Sequence, residues 1–465
     1  MINRRQFLTT AALAPALAQE RQPSPLVVKA KRKPADEWVE YPTQTVNTLR
    51  GFSPQSARPA VSRYGGRLDR RIAGSGAFRT LERDGRWWLV DPDGYLFLNV
   101  GVCSVTPGNS QRNRAALKEK FGAAERWAEA ATALLHDNGF NGAGNWSSND
   151  LLRGVPNPVS YTISGNFMGT FGRRLNIVQQ QPGHMGYPND AIPVFHPAFE
   201  SFCDEYARGL ADANDPYLLG YFSDNELPAP ADLLDKSLAL DPANEKTGPG
   251  AKAAREWLDR RKGAKALAAD LNDEDRDAYR EFVYERYFSL TTAALRKHDA
   301  RHLCLGPRLY GVSLRSPGMI RAAGRHLDVI ATNIYGQWSI APEMLSMWRK
   351  EAPKPFLVTE FYAKGSDAGF PNTSGAGWVV PTQRDRGLFY QNFTLSGLES
   401  RQCVGWHWFK YMDNDPEDLS TDPSNRDSNK GMVTIAYAPY PALLKEMEVL
   451  NRNVYRVADY FDSRR

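Results

Sequence analysis

The chain has 465 residues, 42% of them hydrophobic and 24% charged, with a formal net charge of +5. That is enough apolar material for one large core, and barrels of alternating strands and helices reach this length as single domains. Without the two arginines of residues 1–18, a stretch that holds no acid, the balance falls to +3 and no dense basic run remains, which argues against a nucleic-acid partner.

Residues 1–18 read as an export signal. Arg4-Arg5-Gln6-Phe7-Leu8 has the twin-arginine pattern, a short apolar stretch follows, and Ala16-Leu17-Ala18 offers small residues for cleavage. A periplasmic or extracellular protein is expected. No later run reaches about 18 uninterrupted apolar residues, so no membrane span is expected. Residues 19–75 read as a linker and an extended arm, and residues 76–465 as the catalytic domain. Cys103, Cys203, Cys304 and Cys403 lack metal-ligand spacing and sit mostly in apolar strand-like runs, so buried free thiols are expected.

Residues 78–100 predict a small antiparallel meander with turns at Asp84-Gly85 and Asp91-Pro92-Asp93-Gly94. Its last strand continues into the first strand of a barrel, residues 99–103. One helix is predicted over 112–137, with Leu117, Phe121, Trp127, Ala131, Leu134 and Leu135 on its apolar face and Gly139 as a left-handed cap. Strands are predicted at 140–143, 158–163 and 218–222, with a long loop over 164–195 and a helix over 197–213 between the last two. After 222 comes a charged connection of short helical pieces, 229–270. A long helix then begins at Asn272, with Asp273, Glu274 and Asp275 suiting its dipole. Further strands are predicted at 302–306, 327–333, 354–361 and 404–409, and a closing helix at 442–460. Eight strands alternating with helices predict an α/β fold, a (β/α)8 TIM barrel carrying a small N-terminal β-meander and an extended, partly helical insertion after strand 4.

Two of the strands end on carboxylates. Leu218 to Phe222 is apolar and stops at Asp224-Asn225-Glu226; Phe356-Leu357-Val358-Thr359 stops at Glu360. Carboxyl ends of barrel strands open into the active site. Strands 4 and 7 face each other across the mouth, so Glu226 and Glu360 could stand about 5 Å apart, the retaining geometry of glycoside hydrolysis. Glu226 is assigned as general acid/base and Glu360 as nucleophile, with burial and repulsion from Glu360 keeping Glu226 protonated. Asn225 is placed to donate to a sugar hydroxyl and Tyr335 to donate to Glu360. Trp406 and Trp408 are expected on opposite sides of strand 8, one as a sugar platform and the other packed outward. Asn145, Trp146, Trp338, Trp378 and His407 are further candidates for substrate contact, each balanced against plain rim packing. The chemistry needs no cofactor, and no metal site is expected, because HExxH, paired HxH and cysteine pairs are all missing. No GxSxG elbow or phosphate-binding glycine loop is present either.

The Asn225-Glu226 and Glu360 pattern resembles clan A of the glycoside hydrolases, in which the acid/base follows an Asn on strand 4 and the nucleophile ends strand 7. More narrowly, the chain resembles the agarase-type branch, the family 50 β-agarases and their shorter relatives. The similarity is carried by residues 87–94 (WWLVDPDG), 220–226 (GYFSDNE), 357–362 (LVTEFY), 405–411 (GWHWFKY) and Asn429-Lys430-Gly431, and spans roughly 75–435. It implies a secreted retaining hydrolase of β-linked galactans such as agarose, with a polysaccharide or oligosaccharide as its partner. Two other readings stay open from the sequence. One is a retaining hydrolase of another polysaccharide, such as carrageenan, porphyran or a β-mannan; Lys364, Lys410 and Arg308 near strand ends are compatible with a sulfated substrate. The other is a non-catalytic sugar-binding barrel.

Overall fold

The computed structural model describes residues 26–464; the leader expected at 1–18 lies outside the described residues. Eight parallel strands form the central barrel: β1 Asn99–Val102, β2 Gly142–Ala143, β3 Ser160–Ser164, β4 Leu218–Phe222, β5 Leu303–Gly306, β6 Ile330–Asn333, β7 Phe356–Phe361 and β8 Cys403–Trp408. Every residue of these strands is buried except Ile163 and Ser164, which are half-buried, as strands covered on both faces must be. β5 comes in two pieces. Leu303–Gly306 pairs with β4, and beyond Pro307-Arg308 the short strand Leu309–Tyr310 pairs with β6. Below that break the ring is joined by Asp328, whose backbone N–H donates to the Cys304 carbonyl at 3.0 Å and whose carboxylate accepts from the Cys304 N–H at 2.9 Å. The approach of β4 to β5 is tight enough to require glycine: a Cβ on Gly220 would stand 2.2 Å from the Leu303 carbonyl oxygen.

A four-stranded antiparallel sheet closes the amino-terminal end, in the order Arg67–Arg71, Tyr95–Phe97, Arg86–Val90, Arg79–Arg83. Asp84 and Gly85 both have positive φ, the conformation that a two-residue hairpin turn demands. Phe78, Leu89 and Phe97 from this sheet pack with Leu219, Leu303, Leu305, Val329, Leu357 and Val404 of the barrel lumen, so the floor is sealed by apolar side chains. The strand Arg67–Arg71, in the segment expected as an extended arm, pairs with Tyr95–Phe97.

The helices differ from expectation mainly at glycines and short breaks. The helix expected over 112–137 is two, Gln111–Lys120 and Ala124–Asp137, parted at Gly122, whose φ is +76°. Gly139 does take the left-handed conformation, φ +74°. The loop expected at 164–195 contains a helix, Phe167–Arg174, and a hairpin, Gln179–Gln181 with His184–Gly186. The long helix Asp273–His298 starts on a reciprocal cap in which Asn272 and Asp275 each accept from the other's backbone N–H. The closing helix is again two, Pro441–Arg452 and Val454–Asp462. In the arm, Val27–Ala30 and Val39–Pro42 form a hairpin, and Lys31 bridges to Val379. The arm then runs along the helix Gln383–Glu399, whose Gln391 and Asn392 accept from the backbone N–H groups of Val46 and Gln44. All four cysteines are buried and free. No helix among the described residues is long and apolar enough to cross a membrane.

Candidate active site

The carboxyl ends of the strands surround a cavity of about 1000 Å³. Glu226 and Glu360 both line it, as do Asn145, Trp146, Asn225 and Tyr335. Glu226 lies four residues beyond β4 and has a left-handed backbone, φ +50°. Its N–H donates to the Pro307 carbonyl at 2.9 Å, which ties the turn after β4 to the break in β5. Asn333, the last residue of β6, has no exposed surface and donates to Glu226 Oε1 at 2.8 Å; its own carbonyl oxygen accepts from Thr359 Oγ1 at 2.8 Å. A single amide therefore links the ends of β4, β6 and β7.

Glu360 is held from both sides. Arg308 Nη2 donates to Oε1 and Tyr335 Oη donates to Oε2. Arg308 is itself in the left-handed region, φ +55°, and its guanidinium lies 4.5 Å from the centre of the Trp146 ring. One carboxylate thus receives a cation and a phenol on its two oxygens, a setting for an anion. The other is in a different setting. Burial first, and then repulsion from Glu360, push the Glu226 carboxyl far above the ordinary range, to about 8, against the opposing pull of Asn333 and Arg308. Two acids that line one cavity are thus held by different partners, and one of them, Glu226, is driven toward its protonated form.

Trp146, 45% exposed and with φ +60°, presents its ring to the cavity and packs edge-on against Phe409, 6.0 Å away between centres. Asn145 is buried beside it and accepts from Ser164 Oγ. Asn225 Oδ1 is 3.4 Å from Asn333 Nδ2. Asp224 is also pushed up, to about 7, by burial, and is anchored by the Tyr287 hydroxyl at 2.5 Å and the Met168 N–H at 3.0 Å, which pins the helix Phe167–Arg174 against the end of β4.

Five of the sequence candidates stand elsewhere. Trp406 and Trp408 are two positions apart, and a two-residue period places them on the same face of β8, not on opposite faces. That face points outward: Trp406 Nε1 donates to the Tyr390 hydroxyl at 2.7 Å and Trp408 Nε1 to the Lys430 carbonyl at 3.1 Å, and both rings are buried. His407 points into the lumen beneath the cavity, where its Nε2 is 2.6 Å from Asn99 Oδ1 and burial lowers its pKa to about 3. Its ring fills the space over Gly101, where a Cβ would meet it at 2.6 Å. Trp338 is a rim-packing residue: Tyr41 of the arm stacks on it at 5.0 Å and its Nε1 donates to Thr43. Trp378 packs in the same group.

Several lining residues escaped the sequence reading. Tyr310 ends the second piece of β5, Tyr362 follows β7 and Phe409 follows β8, and all three line the cavity. The rule that found Glu226 and Glu360, the first residues past an apolar run, would also have flagged them. Lys33 from the arm and Lys430 from the loop after β8 line it too; Lys430 lies in the Asn429-Lys430-Gly431 stretch of the resemblance, while nothing in the local sequence marks Lys33.

No family model matches the chain. The solved structure BpGH50 superposes with a TM-score of 0.83 at 31% sequence identity, covering 94% of this chain and 96% of that one. The agarase AgWH50C has the same fold at 22% identity, with a TM-score of 0.70 over 86% of this chain and 67% of its own. Beta-agarase B of Vibrio sp. (strain JT0107) is 25% identical over 510 residues, 86% of this chain and 50% of that protein. The chain therefore spans about half the length of the curated relatives it matches. With a relative as similar as BpGH50 aligned over nearly the whole of both chains, the chain belongs to glycoside hydrolase family 50.

Proposed function

We propose that the protein hydrolyses β-galactosidic bonds of agar-type galactans with retention of configuration, using Glu226 as acid/base and Glu360 as nucleophile. The observation that carries this reading is the unequal treatment of two neighbouring buried carboxylates. Glu360 has a cation and a phenol on its oxygens, while Glu226 is driven toward its protonated form. In the first step Glu226 gives its proton to the glycosidic oxygen as Glu360 attacks the anomeric carbon; the C–O bond breaks and a glycosyl ester forms. In the second, Glu226 takes a proton from water, which attacks the same carbon and releases Glu360. The repulsion that lifts Glu226 vanishes once Glu360 is esterified, so Glu226 becomes a weaker acid-holder when it must act as a base.

The arrangement of Asn225-Glu226 after β4 and Glu360 on β7, the clan A pattern, is part of this proposal. So is export through the twin-arginine leader. Trp146 takes the role of sugar platform, because its ring is exposed in the cavity and Arg308 holds it from behind. The agar substrate is suggested by the relatives named beta-agarase. The test is reducing-sugar release from agarose, porphyran, carrageenans and β-mannan, with the Glu226→Gln, Glu360→Gln double variant as blank. Release from agarose that is absent in the blank supports the proposal. Release from another polymer alone keeps the mechanism and removes the agar assignment, and binding without release from any of them returns the sugar-binding reading.

A further inference from the structure

Three lysines, Lys364, Lys410 and Lys430, gather on the β7–β8 side of the mouth, and they are bonded very unequally. Lys364 Nζ donates to the carbonyls of Asn372, Ser374 and Gly375 at 3.0, 2.9 and 3.3 Å, which uses all its protons. Lys410 Nζ has one acceptor, Asn414 Oδ1, at 2.5 Å. Lys430 has no exposed surface, and its Nζ is a buried polar atom without a hydrogen-bond partner. Its ammonium faces the rings of Phe409 and Tyr362, 5.1 and 5.7 Å from their centres. Both Lys410 and Lys430 line the cavity that holds Glu226 and Glu360.

The acids around Lys430 are already committed. Glu360 is taken by Arg308 and Tyr335. Asp413 accepts from the N–H groups of Lys430 and Gly431, from Asn429 and from the Tyr440 hydroxyl. Asp422 accepts from the N–H groups of Gly183 and Ser424. Burying a cation with no hydrogen-bond partner, as at Lys430, is costly, and the half-buried Lys410 nearby adds its repulsion. Burial lowers the pKa of both, and repulsion from Lys410 lowers that of Lys430 further. A sugar hydroxyl could accept from one ammonium but would leave two like charges unneutralised. A compact anion between them would satisfy both.

Resting on the galactan reading above, we infer that Lys410 and Lys430 form a subsite for one oxyanion substituent of the sugar chain, a sulfate ester or a carboxylate, next to the nucleophile. The subsite makes the protein selective for an anionic galactan over a neutral one.

Calorimetric titration of the full-length Glu360→Gln variant tests this with three galactan oligosaccharides of equal length: neutral, sulfated, and carboxylated by oxidation at C6. At least one anionic oligosaccharide is expected to bind about tenfold or more tighter than the neutral one at low salt, with the advantage shrinking as salt rises. Whichever anion is tighter identifies the natural substituent. Adding Lys410→Gln, or separately Lys430→Gln, should bring the anionic ligand down to the neutral level, while Lys364→Gln should leave the preference in place. Equal affinity for neutral and anionic ligands overturns the inference, and so does a preference that survives both lysine replacements in folded protein. Cleavage of agarose by the unmodified protein without any anion preference removes this inference alone. If no galactan is bound or cleaved, the galactan reading falls and this one falls with it.

Discussion

The two ends of the barrel handle buried charge in opposite ways. At the floor, Arg86 is fully buried, and each nitrogen of its guanidinium has an acceptor: Asp462 takes Nε at 2.9 Å, and the carbonyls of Leu398 and Ala458 take Nη1 and Nη2. Arg67 nearby is clasped by Asp69 and Asp459. At the mouth, Lys430 is buried with no acceptor, Glu226 is held against its ionised form, and four non-glycine residues, Ser104, Trp146, Glu226 and Arg308, sit in left-handed backbone at the ends of β1, β2, β4 and β5. Backbone of that kind is unfavourable for residues with a side chain and gathers where geometry matters more than stability.

Glu360→Ala breaks the mouth most severely. Its kcat should fall on the order of 10⁴-fold or more, and added azide should restore part of the rate by standing in for the missing nucleophile. A rate within tenfold of the original would remove the assignment. Glu226→Gln should lose roughly 10²–10⁴-fold, and less with substrates whose leaving group departs without a proton, which aryl glycosides of graded acidity would show.

The floor should respond in stability instead. Arg86→Met takes the donor from the Leu398 and Ala458 carbonyls and one of two cations from Asp462, which keeps Arg401, and should cost about 2 kcal/mol in urea unfolding, with kcat of the folded fraction unchanged. A collapse of kcat in that variant would contradict the division of labour between the two ends.

The pH profile sharpens the mouth further. Glu226 donates only when protonated, so kcat/KM should fall as the pH rises through its raised pKa, near 8. The same group binds its proton more tightly folded than unfolded. Its contribution to stability is therefore full below the ordinary carboxylate range and is lost as the pH climbs from there toward about 8. Glu360→Gln removes the repulsion and should let Glu226 titrate at lower pH, as carbon NMR of the carboxyl would register; burial, the larger cause, keeps part of the elevation. The smallest effect is expected from Lys430→Met. Removing an unpartnered buried ammonium should raise stability by about 1 kcal/mol, the reverse of the Arg86 result.

Much of this was legible in the sequence, for physical reasons. An apolar run that stops at a carboxylate marks a strand end at the barrel mouth, so Glu226 and Glu360 stood out, and the alternation of runs and helical stripes disclosed the barrel. The meander and its Asp84-Gly85 turn were readable because a tight hairpin needs those residues. What was hidden depends on contacts far apart in the chain. Asn333 matters because β6 lies between β4 and β7 in space, and Lys430 because its loop folds back beside Glu360. The arm reads as a linker because its own residues carry no core pattern; it is ordered by Tyr41 stacking on Trp338 and by the Lys31 bridge to Val379. Trp406 and Trp408 are two positions apart, so strand alternation itself sends both to one face and His407 to the other.

Proton NMR of the first reducing ends released from an agarose oligosaccharide tests the double displacement most directly. The β-anomer should appear first, with the α-anomer growing in only as the sugar mutarotates. An α-anomer present from the first turnover would mean inversion, and Glu360 could not be the nucleophile.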